Sequence, residues 1–203
     1  MDDKIKIKVI LGSTRPGRFG DKPAHWILGE LKKLDNVDPE LLDLKEYPMP
    51  FFDQPISPAY GPGKYSDPVI QKWSDKIKEA DAFIIVTPEY NHSYSAVLKN
   101  ALDSVYHEWG KKSVGFVSYG SVGGARAIEQ LRQVVIELQM VPIRHSIHIP
   151  WDIYMNAAKE PIPPNPAVFD ALRVGRAGDK VQMFFDQLIW FAKALKNARK
   201  ADE

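Results

Sequence analysis

Asp81-Ala82-Phe83-Ile84-Ile85-Val86-Thr87-Pro88-Glu89-Tyr90-Asn91 decides how this chain folds. Phe83 to Val86 is an unbroken apolar run rich in β-branched residues, the pattern of a parallel strand covered on both faces. Pro88 has no amide to give to a ladder and pushes Thr87 toward extended backbone, so the strand is expected to stop there. Ser93 or Ser95 can then cap a helix whose apolar side carries Val97, Leu98, Ala101, Leu102 and Val105. Pro88-Glu89-Tyr90-Asn91 is therefore a loop at the carboxyl end of a strand. Ligands bind at that edge in open α/β sheets; an ordinary crossover turn is the plainer reading of the same residues.

Upstream, Ile5 to Leu11 reads as a strand whose alternating Lys4, Lys6 and Lys8 run their stems along its lower end. Gly12-Ser13-Thr14-Arg15-Pro16-Gly17-Arg18-Phe19-Gly20 follows as a turn-rich segment, then a helix with Ala24, Ile27, Leu28, Leu31 and Leu34 on one face. Glu40 to Leu44 is expected as a second strand. Lys45 to Tyr65 holds Pro48, Pro50, Pro55, Pro58 and Pro62, too many for a regular element. Asp67-Pro68 is a helix start, with Val69, Ile70, Trp73, Ile77 and Ala80 as the buried stripe.

Downstream, Val114 to Ser118 is a fourth strand, ending in Tyr119-Gly120-Ser121-Val122-Gly123-Gly124. A helix carrying Ile128, Leu131, Val134, Val135 and Leu138 comes next, and Val141 to Ile149 is a fifth strand. Trp151 to Gly178 reads as irregular, and a last helix spans about 180–198 with Phe184, Leu188, Phe191 and Leu195 on one face. The chain is thus expected to be one domain over 1–203, with an irregular segment at about 150–178. Alternating strands and helices call for an α/β fold of three layers, a parallel sheet with helices on both faces. Among five-stranded folds of this kind the flavodoxin-like order 2-1-3-4-5 is common, with its switch point between strands one and three. The loops after those two strands are the two unusual ones.

Composition narrows the classes. Basic residues number 27 and acidic residues 26, a net charge of +1, which leaves no excess to neutralise a phosphate backbone; nucleic acid is not an expected partner. The absence of cysteine removes disulfides, thiolate metal sites and thiol nucleophiles, and fits a cytoplasmic setting. Val9-Ile10-Leu11 is too short for a signal-peptide core, and no stretch approaches the roughly 20 apolar residues of a membrane span. His145 and His148 lie three apart on a strand, point to opposite faces and cannot share a metal. No Gly-x-Ser-x-Gly elbow offers a hydrolase nucleophile. Trp73 and Trp190 fit core stripes, while Trp109 and Trp151 fall near loops where interfaces form. Lys193, Lys196, Arg199 and Lys200 read as a solvated helix end.

The first loop suits a phosphate. Backbone amides entering a helix point at one spot, the helix dipole favours an anion there, Ser13 supplies a hydroxyl, and Arg15 or Arg18 a forked charged contact. It is neither a Walker motif nor the dinucleotide Gly-x-Gly-x-x-Gly, so a metal-free monophosphate matches better than a nucleotide triphosphate; a solvated turn is the bland reading. In the third loop, glycines 120, 123 and 124 either admit a flat ligand close to the backbone or make a tight turn.

Together these segments resemble the NADPH-dependent FMN reductase family, flavodoxin-like proteins that include quinone, azo-dye and chromate reductases. The resemblance covers roughly Ile5 to Ile147. It is carried by Gly12-Ser13-Thr14-Arg15-Pro16-Gly17-Arg18, by Leu42-Asp43-Leu44 with Pro50-Phe51-Phe52-Asp53, by Thr87-Pro88-Glu89-Tyr90-Asn91 with Leu98-Lys99-Asn100-Ala101-Leu102-Asp103, and by Gly123-Gly124-x-Arg126-Ala127 with Leu131-Arg132. It implies FMN held by three loops: Ser13 and Arg15 on the phosphate with Arg18, Phe19 and Gly20 nearby, Pro88, Glu89, Tyr90 and Asn91 along the isoalloxazine ring, and Ser118, Tyr119 and Gly120 on its pyrimidine side. It further implies NADPH (or NADH) as co-substrate, a quinone, free flavin or azo compound as small-molecule acceptor in a ping-pong reaction, no catalytic side chain, and a homodimer or dimer of dimers. Ser95-Ala96 and Ser104 depart from the family's usual Pro-Gly and tryptophan. The rivals are a flavodoxin-like FMN electron carrier without its own NAD(P)H oxidation, which the neutral charge disfavours, and a non-redox module for another phosphorylated ligand.

Overall fold

The computed structural model describes residues 4–201. Five parallel strands lie in the order 2-1-3-4-5: β1 (Ile5–Leu11), β2 (Val37–Asp43), β3 (Ala82–Pro88), β4 (Ser113–Tyr119) and β5 (Val141–Ile149). Between and after them run α1 (Asp21–Leu31), α2 (Pro68–Lys78), α3 (Ala96–Asp103), α4 (Ala125–Glu137), α5 (Trp151–Ala157) and α6 (Lys180–Ala201). Because successive strand residues face opposite ways, β3 splits between two cores. Ile84 and Val86 join α1, α5 and α6 on one side; Phe83 and Ile85 join α2, α3 and α4 on the other. Both faces being covered is why the run is apolar without a gap.

The helix starts are chemically specified. Asp67 accepts from the amides of Val69 (2.7 Å) and Ile70 (3.0 Å), capping α2, and Ser95, not Ser93, caps α3 through Leu98 N. β2 begins earlier than expected, at Val37, since Pro39 is tolerated on an edge strand. Leu44, expected to end that strand, begins a 3-10 turn (Leu44–Glu46) instead. Lys8 is buried and ion-pairs with Glu40 and, at 2.7 Å, Glu79.

Four further expectations need correction. The 151–178 segment holds α5 and a 3-10 helix (Pro166–Arg173) whose Phe169 stacks on Trp26 at 4.5 Å; a seven-residue helix is too short to show periodicity beside a run of prolines. Trp190 is 65% exposed, because it sits two residues from Leu188 and so on the far side of α6. Trp109 is fully buried and donates its ring N–H to the carbonyls of Leu102 and Val105. The basic end of α6 is not merely solvated: Lys196 and Arg199 hold the buried Asp81 carboxylate at 2.8 and 2.9 Å, with Lys6 N donating to the same group.

Candidate functional site

The loops after β1, β3 and β4 converge at the carboxyl rim of the sheet. In-register pairing of Leu11 with Val86 and of Pro88 with Tyr119 brings the three strand ends level. Gly12 N donates to Val86 O at 2.8 Å, and Glu89 N donates to Tyr119 O at 2.8 Å. The hydroxyls of Ser13 and Tyr90 stand 3.3 Å apart, and Ser95 Oγ donates to Gly12 O, so adjacent loops touch directly.

Helix α1 begins at Gly20 with no side chain capping it. Lys22 N donates to Phe19 O (2.9 Å), Pro23 has no N–H and Ala24 N donates to Gly20 O (3.1 Å), so what this end offers an anion is the amides of Gly20 and Asp21 and the positive end of the helix dipole. Arg15 and Pro16 are exposed on the loop above, whereas Ser13 is buried beneath Tyr90. Arg18 is placed unlike Arg15. Its side chain is 3% exposed and its guanidinium is committed to Asp21, Asp43 and the carbonyl of Ser13. Burial works against its charge, yet the bonds to Asp43 and Asp21 outweigh that and hold the proton more firmly than usual. Arg18 thus neutralises two carboxylates beside the start of α1 and shapes the loop from within.

Phe19 and Tyr119 are buried as well. Phe19 packs edge-on against Tyr119 (4.9 Å) and against Tyr154 of α5 (4.1 Å). The Tyr119 hydroxyl is buried without a partner among the described residues. A Cβ on Gly20 would lie 2.8 Å from it and 2.7 Å from Leu11, so only glycine lets the helix start so close to the sheet. Burial raises the Tyr119 phenol well above the usual tyrosine range.

In the second loop Pro88 is buried, while Tyr90 and Asn91 are exposed. The Glu89 side chain is buried against the first turn of α4, where it accepts from Arg126 N (3.1 Å) and Nε (2.6 Å). Ser118 is fully buried, its hydroxyl donating to Gly123 O at 2.7 Å. Gly120 is only partly covered and leaves backbone at the rim. The roles of Asp21, Asp43 and Gln130 were not legible in the chain; Arg126 stood in a motif, and its charge opposite to Glu89 was the available signal.

The fold and the three-loop rim define a flavodoxin-like α/β protein. FerB, a flavoenzyme NAD(P)H:(acceptor) oxidoreductase from Paracoccus denitrificans, superposes with a TM-score of 0.56 at 20% identity, covering 94% of each chain. Sequence comparison is more specific: the model of the NADPH-dependent FMN reductase family matches residues 5–151. An NAD(P)H-dependent FMN reductase of Schizosaccharomyces pombe is 38% identical over 159 residues, 77% of this chain and 79% of the relative. An NAD(P)H:quinone oxidoreductase of Solanum tuberosum is 31% identical over 162 residues, 77% and 78% of the two chains. The chain belongs to the NADPH-dependent FMN reductase family, and is an oxidoreductase of that family.

Proposed function

We propose that this chain binds FMN at the three-loop rim and uses NAD(P)H to reduce small acceptors such as quinones, free flavin or azo compounds. One observation carries it: the loops after β1, β3 and β4 meet within hydrogen-bonding distance at the sheet's switch point, beside an uncapped helix start. The donor set suits a monophosphate: the Ser13 hydroxyl, Arg15 and the amides of Gly20 and Asp21 belong to one loop, and the nearby aspartates are neutralised by Arg18. Tyr90, Asn91 and Gly120 are the groups left to face a flat ring at the rim.

The chemistry supplied by bound FMN is two-electron transfer, NAD(P)H and the acceptor occupying the same space in turn. The protein binds, orients and shields. No side chain is assigned as acid or base. A groove of about 460 Å³ between exposed Phe51 and Phe52 and the start of α3 adjoins the rim, and a homodimer is the assembly we propose to cover it. Among the described residues no helix is long and apolar enough to cross a membrane. A cytoplasmic setting is proposed from composition.

The test is an absorption spectrum of the purified protein followed by anaerobic NADPH titration. We expect a flavin band that bleaches on titration, and steady NAD(P)H oxidation with menadione. A band without menadione-dependent turnover would instead mark an electron carrier, and no band with added FMN would remove the proposal. Arg15→Ala is expected to weaken FMN about tenfold, the lower end of a charge-assisted hydrogen bond worth about 1.5–3 kcal/mol, because Arg15 is exposed. Equilibrium titration of FMN measures this; unchanged affinity moves the phosphate elsewhere.

A further inference from the structure

Asn91 and His92 both occupy the left-handed region, with φ of 49° and 69°. Tyr90 and Ser93 close the turn around them, Tyr90 N to Ser93 O at 2.7 Å and Ser93 N to Tyr90 O at 3.0 Å. Asn and His are among the non-glycine types that adopt this region most readily, yet two in succession still cost free energy that contacts from the surroundings offset. Here the holding groups come from α4. Arg126 reaches Glu89 with its Nε and, with its NH1, lies 2.9 Å from His92 Nε2. Gln130, one helical turn further on, donates to His92 O (3.0 Å) and accepts from Ser93 Oγ (2.6 Å). The clamp grips the turn at both ends and leaves Asn91 exposed and Tyr90 part-exposed, with the Tyr90 hydroxyl 3.3 Å from that of Ser13 across the rim.

We infer that Arg126 and Gln130 are positioning residues that set the 90–93 turn against the bound flavin ring, so that flavin affinity and the rate of its reduction depend on two side chains of α4. The functional half of this rests on the proposed flavin site; the structural half does not. Every contact in the clamp runs from the α4 face to the back of the turn. Releasing it lets Asn91 and His92 relax to ordinary backbone and move the groups presented at the rim.

Gln130→Ala is the first variant, since Gln130 is exposed and its loss leaves no buried charge. Glu89→Gln with Arg126→Met is the second; it removes the ion pair as a unit and keeps an acceptor for the backbone amide of residue 126. Two readouts are taken. Hydrogen exchange at the Tyr90 and Ser93 amides, followed by NMR without flavin, is expected to quicken at least tenfold in both variants. FMN affinity is expected to fall about fivefold or more, and single-turnover reduction by NADPH to slow at saturating FMN, with thermal stability of Gln130→Ala nearly unchanged. Arg126→Lys, which restores the charge but not the reach to both partners, is expected to fall between the double variant and the parent. Unchanged exchange in both variants overturns the inference, as does faster exchange with parental flavin affinity and reduction rate. A parent protein that takes up no FMN defeats the flavin site itself, before any variant is compared.

Discussion

Arg18→Leu is expected to destabilise the fold by about 3–5 kcal/mol, the range for breaking a buried ion pair by removing one partner. The side chain is 3% exposed and each aspartate 19%, so solvent does little to replace the lost cation. Two facing carboxylates and the Ser13 carbonyl are left without their donor. Urea unfolding at neutral pH measures the loss. Arg18→Leu combined with Asp21→Asn and Asp43→Asn is expected to recover part of it, because the repulsion is gone while the volume change stays.

The pH dependence gives this prediction a sign that a simple packing defect lacks. In the parent, burial alone pushes the Asp43 carboxyl up, but hydrogen bonds from Arg18 and Lys45 N, with the charge of Arg18, outweigh it and hold the carboxyl below its usual value. A carboxyl depressed on folding contributes stability that is complete above its unfolded value of about 3.9 and is lost as pH falls through the folded value. Without Arg18, burial and Asp21 both raise Asp43, so the variant should gain stability as the solution is acidified from neutrality toward about pH 4. Parallel pH profiles for parent and variant would refute the assignment of Arg18 as a neutralising strut.

Gly124→Ala is the second large effect. Gly124 begins α4 at φ 78°, and a Cβ there would lie 2.5 Å from Ser118 Cβ, 2.7 Å from Ser118 Oγ and 2.9 Å from Tyr119 N. The left-handed conformation costs alanine about 1–2 kcal/mol and overpacking about 1–3 kcal/mol more, so a total of about 2–5 kcal/mol is expected. Backbone must move, and with it Tyr119 and Gly120 at the rim; flavin binding should weaken alongside stability. Gly17→Ala is the internal control. Its φ is 64°, but nothing lies within 4 Å of the added methyl, so only the conformational part, about 1–2 kcal/mol, applies. Equal losses at the two glycines would rule out the steric half of this account.

The organisation of the sheet was legible in the chain because its causes are local. The unbroken run at Phe83–Val86, the stop at Pro88 and the cap at Asp67 each follow from neighbours in sequence, and regular alternation of strand and helix then restricts the topology to few orders. The three rim loops were legible for the same reason, since strand ends dictate where loops emerge. Leu44 and Trp190 were misplaced because periodicity marks which residues are apolar, while the packing of distant elements decides which of them meet.

What each loop side chain faces belongs to tertiary structure alone. Arg15 and Arg18 are the same residue type three positions apart, yet one is exposed and the other is sealed beneath the loop by Asp43, which arrives from the end of β2. Glu89 sits in a rim motif but turns to Arg126, 37 residues later. Charged side chains are long enough to choose among several directions, and the choice is made by partners that the fold delivers from far along the chain, where burial makes an unmatched charge too costly to keep.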